Sequence, residues 1–247
     1  MKLLVSAASH VGRIRRNNED MVLIGDNYVR NDTIAVEVNL DNEKRYLLAL
    51  ADGMGGHNSG ETASMDTLTN LHYYFYDLPI GLSVSDFNEV IYEWLESINA
   101  VIDSKGHSDP RYYNMGTTLV AFAYFNGEFY WMNCGDSRVY QLHDGQLHQL
   151  STDHSLNNLM GDSGHSNIIT NCIGGGCKTS YIDMVNCTKS VQPGEVYMLC
   201  SDGLSDMVSD DDIQRLLNDG ADAIRLCDAA NAAGGYDNVS VCIIKIV

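Results

Sequence analysis

Two dipeptides, Asn126-Gly127 and Asp144-Gly145, each follow a run of strand-forming residues, and they constrain this chain more than any other feature. A two-residue hairpin turn needs positive φ at both central positions, which Asn, Asp and Gly tolerate and most residues do not. Thr117 to Phe125, Glu128 to Asn133 and Ser137 to Leu142 are therefore expected as consecutive antiparallel strands of one meander. Further strands are expected at Val22 to Ile24, Tyr46 to Ala51, Val196 to Cys200 and Val239 to Ile246. Helical periodicity brackets this region. Leu68, Leu71, Phe75 and Leu78 form one apolar stripe over Gly60 to Leu78. Phe87, Ile91, Trp94, Ile98 and Val101 form a second, behind Ser85 as the expected cap. Near the C-terminus Ser209 and Asp212 resemble a capping box ahead of Ile213, Leu216 and Leu217, and a last helix is expected over Ala221 to Ala232. Alternating βαβ order is absent, so a doubly wound fold is disfavoured, and helices outside with sheet inside is the expected α+β layering.

Composition sets the outer limits. The 247 residues contain no Pro/Ser-rich linker, low-complexity tract or repeat, so residues 1–247 are read as a single domain. Fifteen basic against 33 acidic residues leave a net charge of −18, which repels nucleic acid and anionic lipid. The excess acid is either a solvated surface or a cluster of hard oxygen ligands. Seven cysteines without a C-x-x-C pair indicate neither a disulfide framework nor a zinc site, and Cys200 and Cys242 lie in apolar runs as small buried hydrophobes. A reducing cytoplasm is the expected compartment. Met1 to Val5 is too short and too basic in its sequel to be read as an export signal. The longest apolar run, Leu119 to Phe125, falls far short of the roughly 20 residues that cross a bilayer.

The informative acids stand at strand ends beside glycine. Asp52 ends Leu47-Leu48-Ala49-Leu50-Ala51 and opens Asp52-Gly53-Met54-Gly55-Gly56-His57. Asp202 ends Val196 to Ser201 and precedes Gly203, Asp136 lies in Cys134-Gly135-Asp136-Ser137, and Asp237 precedes the final strand. A neighbouring glycine lets backbone approach closely. Carboxylates brought together in this way repel one another, and burial raises their pKa values unless a divalent cation neutralises them. Carboxylate, carbonyl and water are the ligands of Mg²⁺ and Mn²⁺. Each Asp-Gly alone is more often an ordinary turn, and Glu19-Asp20 alone a solvated pair.

Taken in order, seven segments resemble the signature of metal-dependent type 2C serine/threonine protein phosphatases, in their bacterial branch. They are Gly12 to Asp20, Asp52 to His57, Gly116-Thr117-Thr118, Gly135 to Arg138, Thr152 to Ser155, Ser201 to Leu204 and Asp237-Asn238-Val239. The resemblance covers almost the whole chain and implies a four-layer αββα sandwich, with two central antiparallel β-sheets flanked by helices. It implies that Asp52 bridges two Mn²⁺ or Mg²⁺ ions, that the Gly53 carbonyl binds one of them, and that Asp202 and Asp237 complete a protein shell. Glu19 and Asp20 match acids that hold the second ion largely through water, and Asp136 matches a ligand of a third, weaker site. Arg15 matches the arginine that binds substrate phosphate, for which its planar fork is suited. The implied reaction is hydrolysis of phosphoserine or phosphothreonine by a metal-activated water at a binuclear centre, with in-line attack and no phosphoenzyme. The implied partners are a phosphorylated protein and an opposing serine/threonine kinase, with the enzyme a monomer.

Two departures from the family pattern bear on mechanism. Met54 stands where animal members carry a histidine proposed as general acid; His57 is read as structural, and a water held by the metal as the proton donor. Only Leu156 to Ile168 separates His154-Ser155 from Ile169-Thr170, so the substrate-contacting flap is shortened to a small loop. Trp94 and Tyr73-Tyr74-Phe75-Tyr76 are read as packing, and Arg138 as support for the loop bearing Asp136. Two alternatives stand beside the enzyme: a non-catalytic metal-binding regulator of the same fold, and a phosphatase for a small phosphorylated metabolite.

Overall fold

The computed structural model describes residues 1–55, 59–160 and 168–247, so His57 and most of the shortened loop lie outside the described residues. The chain begins with strands β1 (Lys2–His10), β2 (Met21–Ile24), β3 (Asn27–Val29), β4 (Thr33–Asn39), β5 (Arg45–Ala51) and β6 (Gly53–Met54). Two long helices follow, α1 (Ser59–Asp77) and α2 (Val84–Ser108). Strands β7 (Gly116–Thr117), β8 (Leu119–Phe125), β9 (Glu128–Cys134), β10 (Arg138–His143) and β11 (Gln146–Gln149) lead to a short helix, α3 (Leu156–Met160). After β12 (Ile173–Gly174), β13 (Asp183–Asn186) and β14 (Val196–Cys200) come α4 (Asp202–Ser205), α5 (Asp210–Asn218), α6 (Ala223–Ala232) and β15 (Val239–Ile246).

Two six-stranded antiparallel sheets form the middle, ordered β11-β10-β14-β15-β1-β4 and β13-β9-β8-β5-β2-β3. The period-2 alternation of strand side chains distributes each strand over two cores. Leu48, Leu50, Val120 and Phe122 point from the second sheet at Val5, Tyr197, Leu199, Cys242 and Ile244 of the first, making the dry centre of the sandwich. Leu47, Ala49, Leu119 and Ala121, one residue out of phase, pack under α1 and α2 against Leu71, Phe75, Phe87 and Trp94. On the other side Met198, Cys200, Val241 and Ile243 meet Leu204, Ile213, Leu226 and Ala230 of α4 to α6. The expected αββα layering is observed. Because both faces of the central strands are covered, they read in the sequence as unbroken apolar runs.

The hairpin turns form as expected, with Asn126 and Gly127 at φ 52° and 90° and Asp144 and Gly145 at 48° and 78°. The single meander does not. β8 and β9 pair in one sheet, whereas β10 pairs with β11 and β14 in the other, so Gly135-Asp136-Ser137 crosses from sheet to sheet. Gly135 makes that step at φ +127°, a conformation open to glycine. The cap of α2 is Ser83, whose Oγ accepts the Asp86 N–H at 3.1 Å, not Ser85. The apolar stripe of α2 ends at Ile102, which is buried, while Val101 is 53% exposed; the 3.6-residue period carries the buried face from Ile98 to Ile102. The Ser209 cap is observed, its Oγ accepting the Asp212 N–H at 3.2 Å. The last helix starts at Ala223, two residues later than expected, capped by Asp222. Trp94 is buried and donates its indole N–H to Asn70 Oδ1 at 2.8 Å, a packing role as expected; Tyr73 stays exposed.

Candidate active site

A third, three-stranded sheet, β12-β7-β6, carries the chain from the sandwich edge to the acids. Gly53 pairs with Thr117 and Met54 with Gly116. The Asp52 backbone is clamped there: its N–H donates to Thr118 Oγ1 at 3.0 Å, and its carbonyl accepts from the Thr118 N–H at 2.9 Å and from Thr117 Oγ1 at 2.8 Å. That accounts for the Gly-Thr-Thr segment. Glycine beside the acids has a steric cause: a Cβ on Gly53 would strike the Gly60 carbonyl, and one on Gly203 would strike the Asn238 carbonyl. The backbones bearing Asp52 and Asp202 are thus pressed against α1 and β15 in a way no other residue permits.

Asp20 sits at the centre, fully buried. Its Oδ2 accepts from Ser201 Oγ at 2.9 Å, its carbonyl accepts from Arg30 Nε at 2.8 Å, and its Oδ1 has no hydrogen-bond partner. Ser201 Oγ in turn accepts the Ser240 N–H at 3.0 Å, tying the β14 end to β15. Asp202 opens α4 immediately after Ser201, half-buried, with its Oδ1 also buried and unpartnered. Desolvation pushes Asp20 up to about 6, and desolvation with the negative fields of Asp20, Asp202, Asp136 and Asp237 raises Asp52 well above the ordinary carboxylate value. Asp202 is raised in the same way by desolvation and by Asp136 and Asp237. Asp136 is pushed up to about 6, chiefly by burial. Glu19 is raised by desolvation, partly offset by Arg15. Five strand-end acids, distant in sequence, therefore feel one another in one place.

At the rim Arg15 Nη2 donates to Asp237 Oδ2 at 2.6 Å. Among the described residues, no three His, Cys, Asp or Glu side chains stand close enough to share one ion between them. What the acids form is a looser group, in which the fields of Asp20, Asp202, Asp136 and Asp237 all reach Asp52.

Three supporting residues were given no role by the sequence, although Asn238 and His154 lie within two of the matched segments. Asn238 accepts the Glu19 N–H at 2.8 Å and donates to the Val11 and Asn17 carbonyls, each at 2.9 Å, so it fastens the loop bearing Arg15 and Glu19 to the strand after Asp237. Arg30 joins Asp20 to α1 through the Glu61 carbonyl at 3.0 Å and Ser64 Oγ at 2.8 Å. His154 Nδ1 accepts the Gly135 N–H at 3.1 Å while Nε2 faces Asp183 at 3.0 Å, which holds the turn carrying Asp136. Arg138 forks onto Asp153 at 2.7 and 3.0 Å, supporting the same turn as expected. Following Asp52 in the chain, Met54 and Gly55 line a cleft of about 1520 Å³ between α1 and the Pro110 to Asn114 turn.

A family model described as Protein phosphatase 2C matches residues 24–233. Protein phosphatase PhpP of Streptococcus pneumoniae is 32% identical over 257 residues, covering 98% of this chain and 97% of that protein. Serine/threonine protein phosphatase PstP of Mycobacterium tuberculosis is 32% identical over 99% of this chain, which spans only 45% of PstP. Among solved structures, the Streptococcus agalactiae serine/threonine phosphatase superposes with a TM-score of 0.84 at 28% identity, covering 99% of this chain and 100% of that one. The PstP catalytic domain in complex with two manganese ions superposes with a TM-score of 0.76 at 32% identity, covering 99% of each chain. With nearly the whole chain matched in sequence and in fold, this protein belongs to the protein phosphatase 2C family.

Proposed function

We propose that the chain is a Mn²⁺- or Mg²⁺-dependent protein phosphatase that hydrolyses phosphoserine and phosphothreonine, with residues 1–247 acting as one catalytic domain. The observation that carries the reading is the pair of orphaned carboxylate oxygens, Asp20 Oδ1 and Asp202 Oδ1, buried within a group of mutually repelling acids. Such oxygens cost free energy unless a cation meets them. The donor set of carboxylates and a backbone carbonyl is the one that Mn²⁺ and Mg²⁺ prefer, and pairs of acids completed by water suit ions that keep part of their hydration. In this reading Asp52, the Gly53 carbonyl, Asp202, Asp237, Glu19 and Asp20 would hold the ions. Asp136 would hold a third ion. Bound there, the metals supply an acidified water and offset the negative charge of the phosphate.

The chain's own residues do the rest. Arg15, exposed at the rim, offers its planar fork to two phosphate oxygens once it leaves Asp237, and so orients the ester. Asn238 holds the Arg15 loop in register with the acids. Met54 has no proton to give the leaving alkoxide, so a water held in the site is the proposed donor. The pneumococcal and mycobacterial relatives, both named protein phosphatases, and the two manganese ions of the PstP domain support this reading. The proposal extends to a phosphoprotein substrate made by a serine/threonine kinase and to a monomer in the cytoplasm, a reducing compartment that suits unbridged cysteines.

Purified protein with Mn²⁺ is expected to hydrolyse p-nitrophenyl phosphate and a phosphothreonine peptide and to lose both activities in EDTA. Turnover no greater than that of Asp237→Asn would reject the proposal. Faster turnover of phosphorylated metabolites than of peptides would move the substrate class.

A further inference from the structure

Cys172 and Cys177 lie with their sulfurs 3.2 Å apart, closer than two unbonded sulfurs usually rest and about 1.1 Å from disulfide bonding distance. The chain between them is Ile173-Gly174-Gly175-Gly176, and its three glycines have φ of +72°, +60° and +80°. A run of left-handed residues reverses the chain tightly, and only glycine adopts it without strain. A Cβ on Gly175 would come within 2.9 Å of Cys172 Sγ, so the bare backbone there also makes room for the sulfur. Both ends of the turn are pinned. Buried Asn99 of α2 accepts the Gly174 N–H at 2.7 Å and donates to the Cys177 carbonyl at 3.1 Å, while the Gly175 N–H donates to the Met115 carbonyl at 2.7 Å. The two thiols are therefore held against each other by the fold, which is a different situation from the other five cysteines.

We propose that Cys172 and Cys177 are a redox-active pair that interconverts between dithiol and disulfide with a low-molecular-weight disulfide such as oxidised glutathione. Cys177 is half-buried and Cys172 buried, so Cys177 is the thiol that meets the reagent. Its thiolate attacks one sulfur of the reagent, the reagent S–S bond breaks, and one reagent thiol leaves. Cys172 Sγ then attacks Cys177 Sγ, gives its proton to solvent, and expels the second reagent thiol. Two cysteines lose two hydrogens and one small disulfide becomes two thiols, so the exchange balances. Burial raises the Cys172 thiol, in keeping with its part as the second sulfur to react. The pair adjoins the active site. Ile173, next to Cys172, pairs with Thr117, which pairs with Gly53 in the three-stranded sheet, and Gly175 lines the cleft beside Met54.

The test uses the folded full-length chain, equilibrated in buffers of graded reduced-to-oxidised glutathione, quenched in acid, unfolded and alkylated. The expected result is a reversible loss of about 2 Da, with two of the seven cysteines protected from alkylation and peptide mapping that joins Cys172 to Cys177. In Cys177→Ser, and separately in Cys172→Ala, the protected pair should vanish over the same range. The proposal is overturned if all seven remain alkylatable at the most oxidising ratio, if the bond joins Cys134 or two molecules, or if a stable glutathione adduct on Cys177 is the end product.

Discussion

Arg15 and Asp237 are 222 residues apart in sequence, and the guanidinium Nη2 stands 2.6 Å from the carboxylate Oδ2. The contact raises Arg15 above its ordinary value, chiefly through the hydrogen bond to Asp237. One arginine thus occupies an acid proposed to hold metal, and the same arginine is proposed to hold substrate phosphate. On that proposal cation and arginine would compete for Asp237, and release of Arg15 would be part of making the site ready.

Replacing Arg15 should separate those two roles. Arg15→Ala is expected to raise KM for a phosphothreonine peptide about ten- to a hundredfold, the worth of charge-assisted hydrogen bonds to phosphate, with a smaller change in kcat. Mn²⁺ affinity should hold or tighten because Asp237 is freed. Steady-state kinetics beside calorimetric Mn²⁺ titration measures both, and a tenfold weakening of Mn²⁺ binding would contradict the competition.

Neutralising Asp52 should abolish turnover while helping the metal-free fold. Asp52→Asn removes an acid raised by burial and by four neighbouring acids, so the repulsion among the acids falls. Activity is expected to drop by about a thousandfold or more, while Tm in EDTA rises by a few degrees, about 2 to 4 °C for each kcal/mol in a chain of this size. A lower Tm in EDTA would show that Asp52 is held by contacts rather than strained by them.

The raised acids also set a pH dependence. Asp20 and Asp136 have folded values of about 6 against an ordinary 3.8, so between those values the folded state binds more protons than the unfolded chain. Their contribution to the stability of the metal-free protein is then fully present below about pH 4 and is lost as pH rises through 6, on the order of 3 kcal/mol for Asp20. Saturating Mn²⁺ binds the ionised acids and should flatten or reverse the trend. Thermal melts from pH 4 to 7, with EDTA and with Mn²⁺, test the sign.

Asn238 should matter to stability and to substrate binding together. Asn238→Ala strands the Glu19 N–H and the Val11 and Asn17 carbonyls, costing on the order of 3 kcal/mol, or a Tm drop of about 6 to 12 °C. Because those bonds hold the Arg15 loop, KM for phosphopeptide should rise at temperatures where the variant is still folded. A stability loss with unchanged KM would limit Asn238 to a packing role.

Much of this protein was determined by short stretches of sequence. Asn126-Gly127 and Asp144-Gly145 specify hairpin turns because few other residues tolerate their backbone angles, and Ser209 specifies a helix start because its hydroxyl satisfies a free N–H. Leu68, Leu71 and Phe75 mark a buried helical face, and the glycines beside Asp52 and Asp202 mark close backbone approach. β1, with Leu3, Val5 and Ala7 buried, was not among the expected strands, because no turn signal announces it. Tertiary structure alone decided which strands share a sheet. β9 and β10 are separated by three residues yet lie in different sheets, because each pairs where its two apolar faces find covering layers. It alone placed Arg15 on Asp237, Asn238 on the Glu19 loop and Cys172 against Cys177. Local propensity acts through a residue's own backbone and nearest neighbours, whereas these contacts depend on how whole layers stack, and no short window of sequence carries that information.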